Sequence, residues 1–276
     1  MPPVLIESDT VNNVPLLTAA PLDAHNCPVV FFVPGFMSQK ARHLELGYHL
    51  AKQGIFYVSL DAAMHGERPD PRLDQVWDPN APHIYPPESE LDSYALMLEI
   101  ADRTAQDIDG LIEHFGAQPQ VDASRVGVCG DSMGGYITFL AAARNPKVRA
   151  IATIIAHPAF TQSWLDDLAQ AESNPDWADR MAAVAGETAR LTAFVRSIDP
   201  YEKLGEFCPK PVLMINGDRD TVVPIQYALQ FYRDLKPSYQ AAKQAEKLKL
   251  SVYRGIDHRV VGGMLIEAAG WFQKHL

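Results

Sequence analysis

Apolar residues in this chain fall into short unbroken runs, separated by longer stretches in which they recur every three or four positions. Pro28–Val33 (PVVFFV), Phe56–Leu60 (FYVSL), Val126–Cys129 (VGVC), Ala150–Ala156 (AIATIIA), Pro211–Asn216 (PVLMIN) and Leu248–Tyr253 (LKLSVY) predict strands. The AIATIIA run does not alternate, as expected for a sheet covered on both faces. Between the runs, Arg42–Gln53 predicts a helix that Gly54 would cap. Leu91, Ala95, Leu98, Ile108, Leu111, Ile112 and Phe115 share helical spacing and predict one long helix over 91–115. Ser132–Arg144, Pro224–Leu235 and Met264–His275 predict three more. The proline-rich 66–87 stretch predicts an irregular surface loop. Strand alternating with helix implies an α/β fold, a mostly parallel central sheet with helices on both faces. Val4–Glu7 and Pro15–Thr18 are expected to add an antiparallel edge. One interval, 157–208, is too long for a simple connection. Its Trp164, Leu165, Trp177, Met181, Leu191 and Phe194 predict a small helical cap inserted within a single 1–276 domain.

Composition narrows the function classes. With 276 residues, of which 47% are hydrophobic, the chain can bury a core without disulfides or metals. Its formal net charge of −10 argues against nucleic acid and anionic membrane as partners, and gives little reason to expect a strongly anionic substrate. Cys27, Cys129 and Cys208 are too few and too scattered for a disulfide framework or a zinc site, and read as reduced thiols. The segment Met1–Thr10 has no basic start and carries Glu7 and Asp9, unlike a secretory signal. No stretch reaches the apolar length of a membrane span. A cytoplasmic protein is the expectation, and nothing in the chain points to an oligomeric state.

The candidate chemistry begins after VGVC. There the chain reads Gly130-Asp131-Ser132-Met133-Gly134-Gly135, a G-x-S-x-G pattern between a strand and a helix. Such a turn reverses sharply and presents the serine hydroxyl at its tip, with glycines where side chains would collide. A helix start beneath the serine favours developing negative charge. A serine hydroxyl needs a base, and the base needs an orienting carboxylate; on such a scaffold they follow in the order acid, then histidine. The PVLMIN strand leads into Gly217-Asp218-Arg219-Asp220-Thr221-Val222-Val223-Pro224. Asp220 is preferred as the acid because it lies past the turn and ahead of the next helix; Asp218 could pair with Arg219 or cap the loop. LKLSVY leads to Asp257-His258, and His258 is the expected base. His275, at the end of the last helix, is expected to be solvated. Two N–H groups should receive the oxyanion: that of Met133, after the nucleophile, and that of Phe36, in the loop Pro34-Gly35-Phe36-Met37. Met37, His65, His157, Phe160, Trp164, Trp177 and Val222 are candidate pocket residues, although core packing is the commoner role for cap aromatics. Asp131 could repel anionic substrates, but a solvated loop charge is the plainer reading. Cys129 reads as packing.

Taken together, Pro34-Gly35-Phe36, Asp61-Ala62-Ala63-Met64-His65-Gly66-Glu67-Arg68, the Ser132 turn, Gly217–Pro224 and Asp257-His258 resemble a known group. The chain is similar to small bacterial carboxylesterases of the α/β-hydrolase superfamily, in the branch of the dienelactone hydrolases and prolyl oligopeptidases. The resemblance runs from about Val29 to the C-terminus. It implies hydrolysis of small carboxylic esters through an acyl-enzyme, with no cofactor and no metal. This chain departs from the group in having Pro34 where His-Gly-Phe is usual, and Ser132 where a dienelactone hydrolase has cysteine. An amidase or peptidase, a thioesterase, and a ligand-binding protein without turnover are the rival readings.

Overall fold

A computed structural model describes residues 3–76, 87–175, 182 and 185–276. Among the described residues, eight strands form one sheet in the order β1-β2-β4-β3-β5-β6-β7-β8. They are β1 (Val4–Val11), β2 (Val14–Pro21), β3 (Cys27–Val33), β4 (Phe56–Leu60), β5 (Val121–Asp131), β6 (Val148–Ile154), β7 (Val212–Gly217) and β8 (Leu248–Tyr253). β1 pairs antiparallel with β2, and β2 with β4; every other pairing is parallel. The β1–β2 hairpin turns on Asn12 and Asn13, both at positive φ, as a two-residue loop matched to strand twist requires.

The unbroken apolar runs are explained by two cores. Val29, Phe31 and Val33 of β3 face one core, and Val30 and Phe32 face the other. On the first face lie α3 (Pro87–Gly116), α4 (Met133–Arg144) and α7 (Ile225–Ala241). On the second lie α1 (Leu44–Lys52) and α8 (Gly262–His275), with Leu46, Leu50, Met264 and Phe272 against the sheet. α1 ends as its sequence predicts: Gly54 takes φ +81 just past the cap residue Gln53. The 66–87 stretch differs from expectation. It contains a short helix, α2 (Pro71–Val76), opened by a proline at the position where a missing N–H costs nothing. Between β6 and β7 run α5 (Phe160–Ser173), α6 (Ala185–Ile198) and a 3₁₀ turn over Pro200–Glu206. Trp177 and Met181 lie outside the described residues. No helix among the described residues is long and apolar enough to cross a membrane.

The chain passes from β4, at one side of β3, to β5 at the other. The sheet therefore switches direction of growth between β3 and β5, where loops diverge and leave a crevice at the C-terminal strand ends. The loops after β3, β5, β7 and β8 all open on that edge.

Candidate active site

Ser132 sits between β5 and α4 with φ 51 and ψ −119, a conformation that costs on the order of 1–3 kcal/mol for a residue with a side chain. The surroundings hold it there. Its N–H donates to the Ile154 carbonyl at 2.9 Å, and its carbonyl accepts the Gly135 N–H at 2.8 Å. A Cβ on Gly130 would collide with the Gly134 carbonyl, and one on Gly134 with the Val33 carbonyl. The turn is thus too tight for anything but glycine at those two positions. α4 starts at Met133, whose N–H, at the first helical position, has no acceptor within the helix.

The loops after β7 and β8 bring the other two groups. The Arg219 N–H donates to the Ile256 carbonyl at 3.0 Å, which ties the two loops together. His258 Nε2 lies 2.9 Å from Ser132 Oγ, and His258 Nδ1 lies 2.8 Å from Asp220 Oδ2. The second oxygen of Asp220 accepts the N–H groups of Val222 (3.0 Å) and Val223 (2.8 Å). With a carboxylate on Nδ1, that nitrogen carries the proton and Nε2 presents its lone pair to the serine. Asp218, the rival carboxylate, instead accepts the Gly255 N–H at 2.6 Å.

On the other side of Ser132, the loop after β3 lies against its side chain. A Cβ on Gly35 would stand 3.4 Å from Ser132 Cβ and 3.0 Å from an Asp131 carboxylate oxygen. The next residue, Phe36, sets its ring edge-on to His65 with centroids 5.3 Å apart. His65 is buried, and its Nδ1 reaches the Ala63 carbonyl at 2.9 Å. Burial lowers its pKa, so it stays a neutral ring under the loop.

A profile of the prolyl oligopeptidase family matches residues 72–275, most of the chain. The chain belongs to this family. Two bacterial proteins resemble it over nearly their whole length. YitV of Bacillus subtilis (strain 168), named as a candidate esterase, is 26% identical over 99% of this chain and 100% of its own. Esterase YjfP of Escherichia coli (strain K12) is 25% identical over 98% of this chain and 99% of its own. Among solved structures, TT1662 of Thermus thermophilus superposes with a TM-score of 0.69 at 18% identity, covering 99% of this chain and 98% of its own. The fold is the α/β-hydrolase fold.

Within this family member the remaining candidate residues fall into three groups. Met37 and His65 line a cavity of about 580 Å³ between the loop after β3 and the loop after β4, together with Ser38, Arg42, Met64 and Leu73. Val222 is exposed on the acid loop, at 68%. His157, Phe160 and Trp164 are instead interior. Trp164 stacks on Tyr94 at 4.9 Å, and Phe160 packs edge-on to Tyr136. His157 is 2% exposed, wedged between Tyr136 and Tyr227.

Two expectations need correction. Asp131 is not a solvated loop charge: it is 4% exposed, and burial raises its pKa against the opposing pull of His43 and Arg42. His275 is half-buried against Trp271, with ring centroids 4.1 Å apart, and burial lowers its pKa. Cys129 is fully buried, and its thiol is pushed well above its ordinary range, in keeping with packing.

His157 makes a testable contribution to acid sensitivity. Burial lowers its pKa from 6.5 to about 3, partly offset by the charge of Asp220. Below pH 6.5 the unfolded chain binds a proton there that the folded chain refuses, so stability falls as pH drops, by about 1.4 kcal/mol per unit. Between pH 7 and pH 5, His157→Gln is expected to lose about 2 kcal/mol less stability than the parent chain. Urea unfolding at the two pH values measures this; equal losses in both proteins would place the acid sensitivity elsewhere.

Proposed function

We propose that the chain is a serine esterase that cleaves small carboxylic esters through an acyl-enzyme. The observation that carries this reading is the unbroken hydrogen-bonded relay from Ser132 Oγ through His258 to Asp220, at the sheet edge where the loops diverge. Two relatives named for esterase activity, aligned end to end with the chain, favour an ester over an amide or a thioester.

In the proposed cycle Ser132 Oγ attacks the ester carbonyl while His258 Nε2 takes the hydroxyl proton. Asp220 holds the Nδ1–H tautomer and stabilises the imidazolium. The N–H groups of Met133 and Phe36 receive the oxyanion. His258 then protonates the departing alcohol, and afterwards removes a proton from the water that attacks the acyl-enzyme and releases the acid. The cavity lined by Met37 and His65 begins one residue beyond Phe36, and one arm of the ester is assigned to it. The 157–208 interval is read as a cap on the body, because Trp164 stacks on α3 and Tyr227 of α7 donates to Asp166.

A fluorophosphonate probe tests the nucleophile, and p-nitrophenyl esters of rising chain length, with an anilide control, test the substrate class. Stoichiometric labelling at Ser132 with ester turnover is the expected result. No labelling would mean a binding protein, and faster anilide than ester cleavage would mean an amidase.

A further inference from the structure

Lys40 and the 61–68 loop, though far apart in sequence, meet at one carboxylate. Asp61 is 0% exposed. Its Oδ1 accepts the Lys40 backbone N–H at 2.7 Å, and its Oδ2 accepts the Glu67 backbone N–H at 3.0 Å. The Lys40 ammonium lies 3.3 Å from Oδ2 and also pairs with Glu67. Gly66, at φ +58, makes room, since a Cβ there would collide with the Asp61 carboxylate. Arg68 closes the other side, donating to the Asp61 carbonyl at 3.2 Å and to Asp107 at 2.6 Å.

The two segments so joined are the two walls of the cavity beside the candidate site. One runs from Gly35, which lies against Ser132, through Phe36 to Lys40. The other carries Met64 and His65, and His65 supports the Phe36 ring. Only four residues separate the Asp61 anchor at Lys40 from Gly35, a span too short to absorb a shift at one end without moving the other.

We propose that Asp61 is a positioning residue, which fixes the Phe36 N–H over Ser132 and sets the width of the adjoining cavity by binding the Lys40 and Glu67 backbones with one carboxylate. The inference rests on the oxyanion role given to Phe36. Ionised carboxylate suits the task because both oxygens accept; an amide of the same shape accepts with one and turns an N–H₂ toward a donor with the other. The buried Lys40 ammonium then compensates the charge, and the backbone bonds do the positioning.

Asp61→Asn tests this with the whole chain. Active-site titration with a fluorophosphonate counts the competent Ser132 hydroxyls, so that unfolded protein does not enter the rate. Per titrated site, kcat on p-nitrophenyl acetate is expected to fall on the order of 10–100-fold, with KM changed much less, because a displaced donor weakens the transition state more than the ground state. KM is expected to rise only for longer esters that reach the cavity. If the loss is merely of folded protein, kcat per titrated site stays at the parent value and the inference is overturned. Asp61→Ser, which keeps one acceptor, is read in the same way should Asp61→Asn not fold. Lack of labelling in the parent chain would sink the functional reading itself; labelling in the parent with unchanged kcat per site in both variants would sink the role of Asp61 alone.

Discussion

Ser132→Ala is expected to lower ester turnover by about a million-fold, with folding intact. The hydroxyl removed is the only group of Ser132 that meets His258, at 2.9 Å. What holds the turn in place survives, because the bonds to Ile154 and Gly135 are made by the backbone, and alanine has the same Cβ that already tolerates φ 51. The melting temperature should therefore stay close to that of the parent. A residual rate above that of water is also expected, since the two N–H donors and the pocket remain in place. Steady-state kinetics with an intact-mass check of probe labelling measure the rates, and a thermal melt measures the stability. Turnover within a hundred-fold of the parent would show that another group carries the attack.

The sheet was legible because burial on both faces leaves a simple trace, a run of apolar residues without alternation. β3 and β7, buried along their whole length, show it; the edge strand β8 was legible instead from the alternation in LKLSVY, and Gly54 marks the end of α1. The elbow was legible for a steric reason, since Gly130 and Gly134 stand where any larger residue meets backbone. Other features depend on residues that only folding brings near. The long α7 runs through Pro237 to Ala241, past the end at Leu235 that a proline suggests, so local propensity was outweighed by packing of Phe231, Leu235 and Tyr239. α2 was hidden because Pro71 reads equally as a loop residue and as a helix opener. Asp131 looks like an ordinary surface acid until Gly35 and His43 close over it. The Lys40–Asp61 contact carries no periodic signal at all, being set by where β3 and β4 end side by side. Sequence order preferred Asp220 to Asp218 only by its place past the turn; in space Asp220 meets His258 Nδ1, while Asp218 accepts the Gly255 N–H.

That bond supports the second large effect. Asp220→Asn is expected to lower kcat by about ten-thousand-fold. The loss depends on which way the amide must face. One oxygen of Asp220 already accepts two backbone N–H groups, from Val222 and Val223, so the Asn carbonyl oxygen is held on that side. The amide N–H₂ then points at His258 Nδ1, in place of the oxygen now 2.8 Å away. A donor there requires Nδ1 to accept, which moves the imidazole proton to Nε2 and leaves Ser132 facing an N–H instead of a lone pair. The ring is neutral and well placed, yet in the wrong tautomer, so raising the pH does not restore it. Asp220→Ala imposes no tautomer, and despite leaving two backbone donors unsatisfied it is expected to retain more kcat than Asp220→Asn. Measuring kcat for both variants from neutral pH upward tests the argument. If Asn were the better substitute, Asp220 would be acting through bulk or loop support alone, not through the proton on His258.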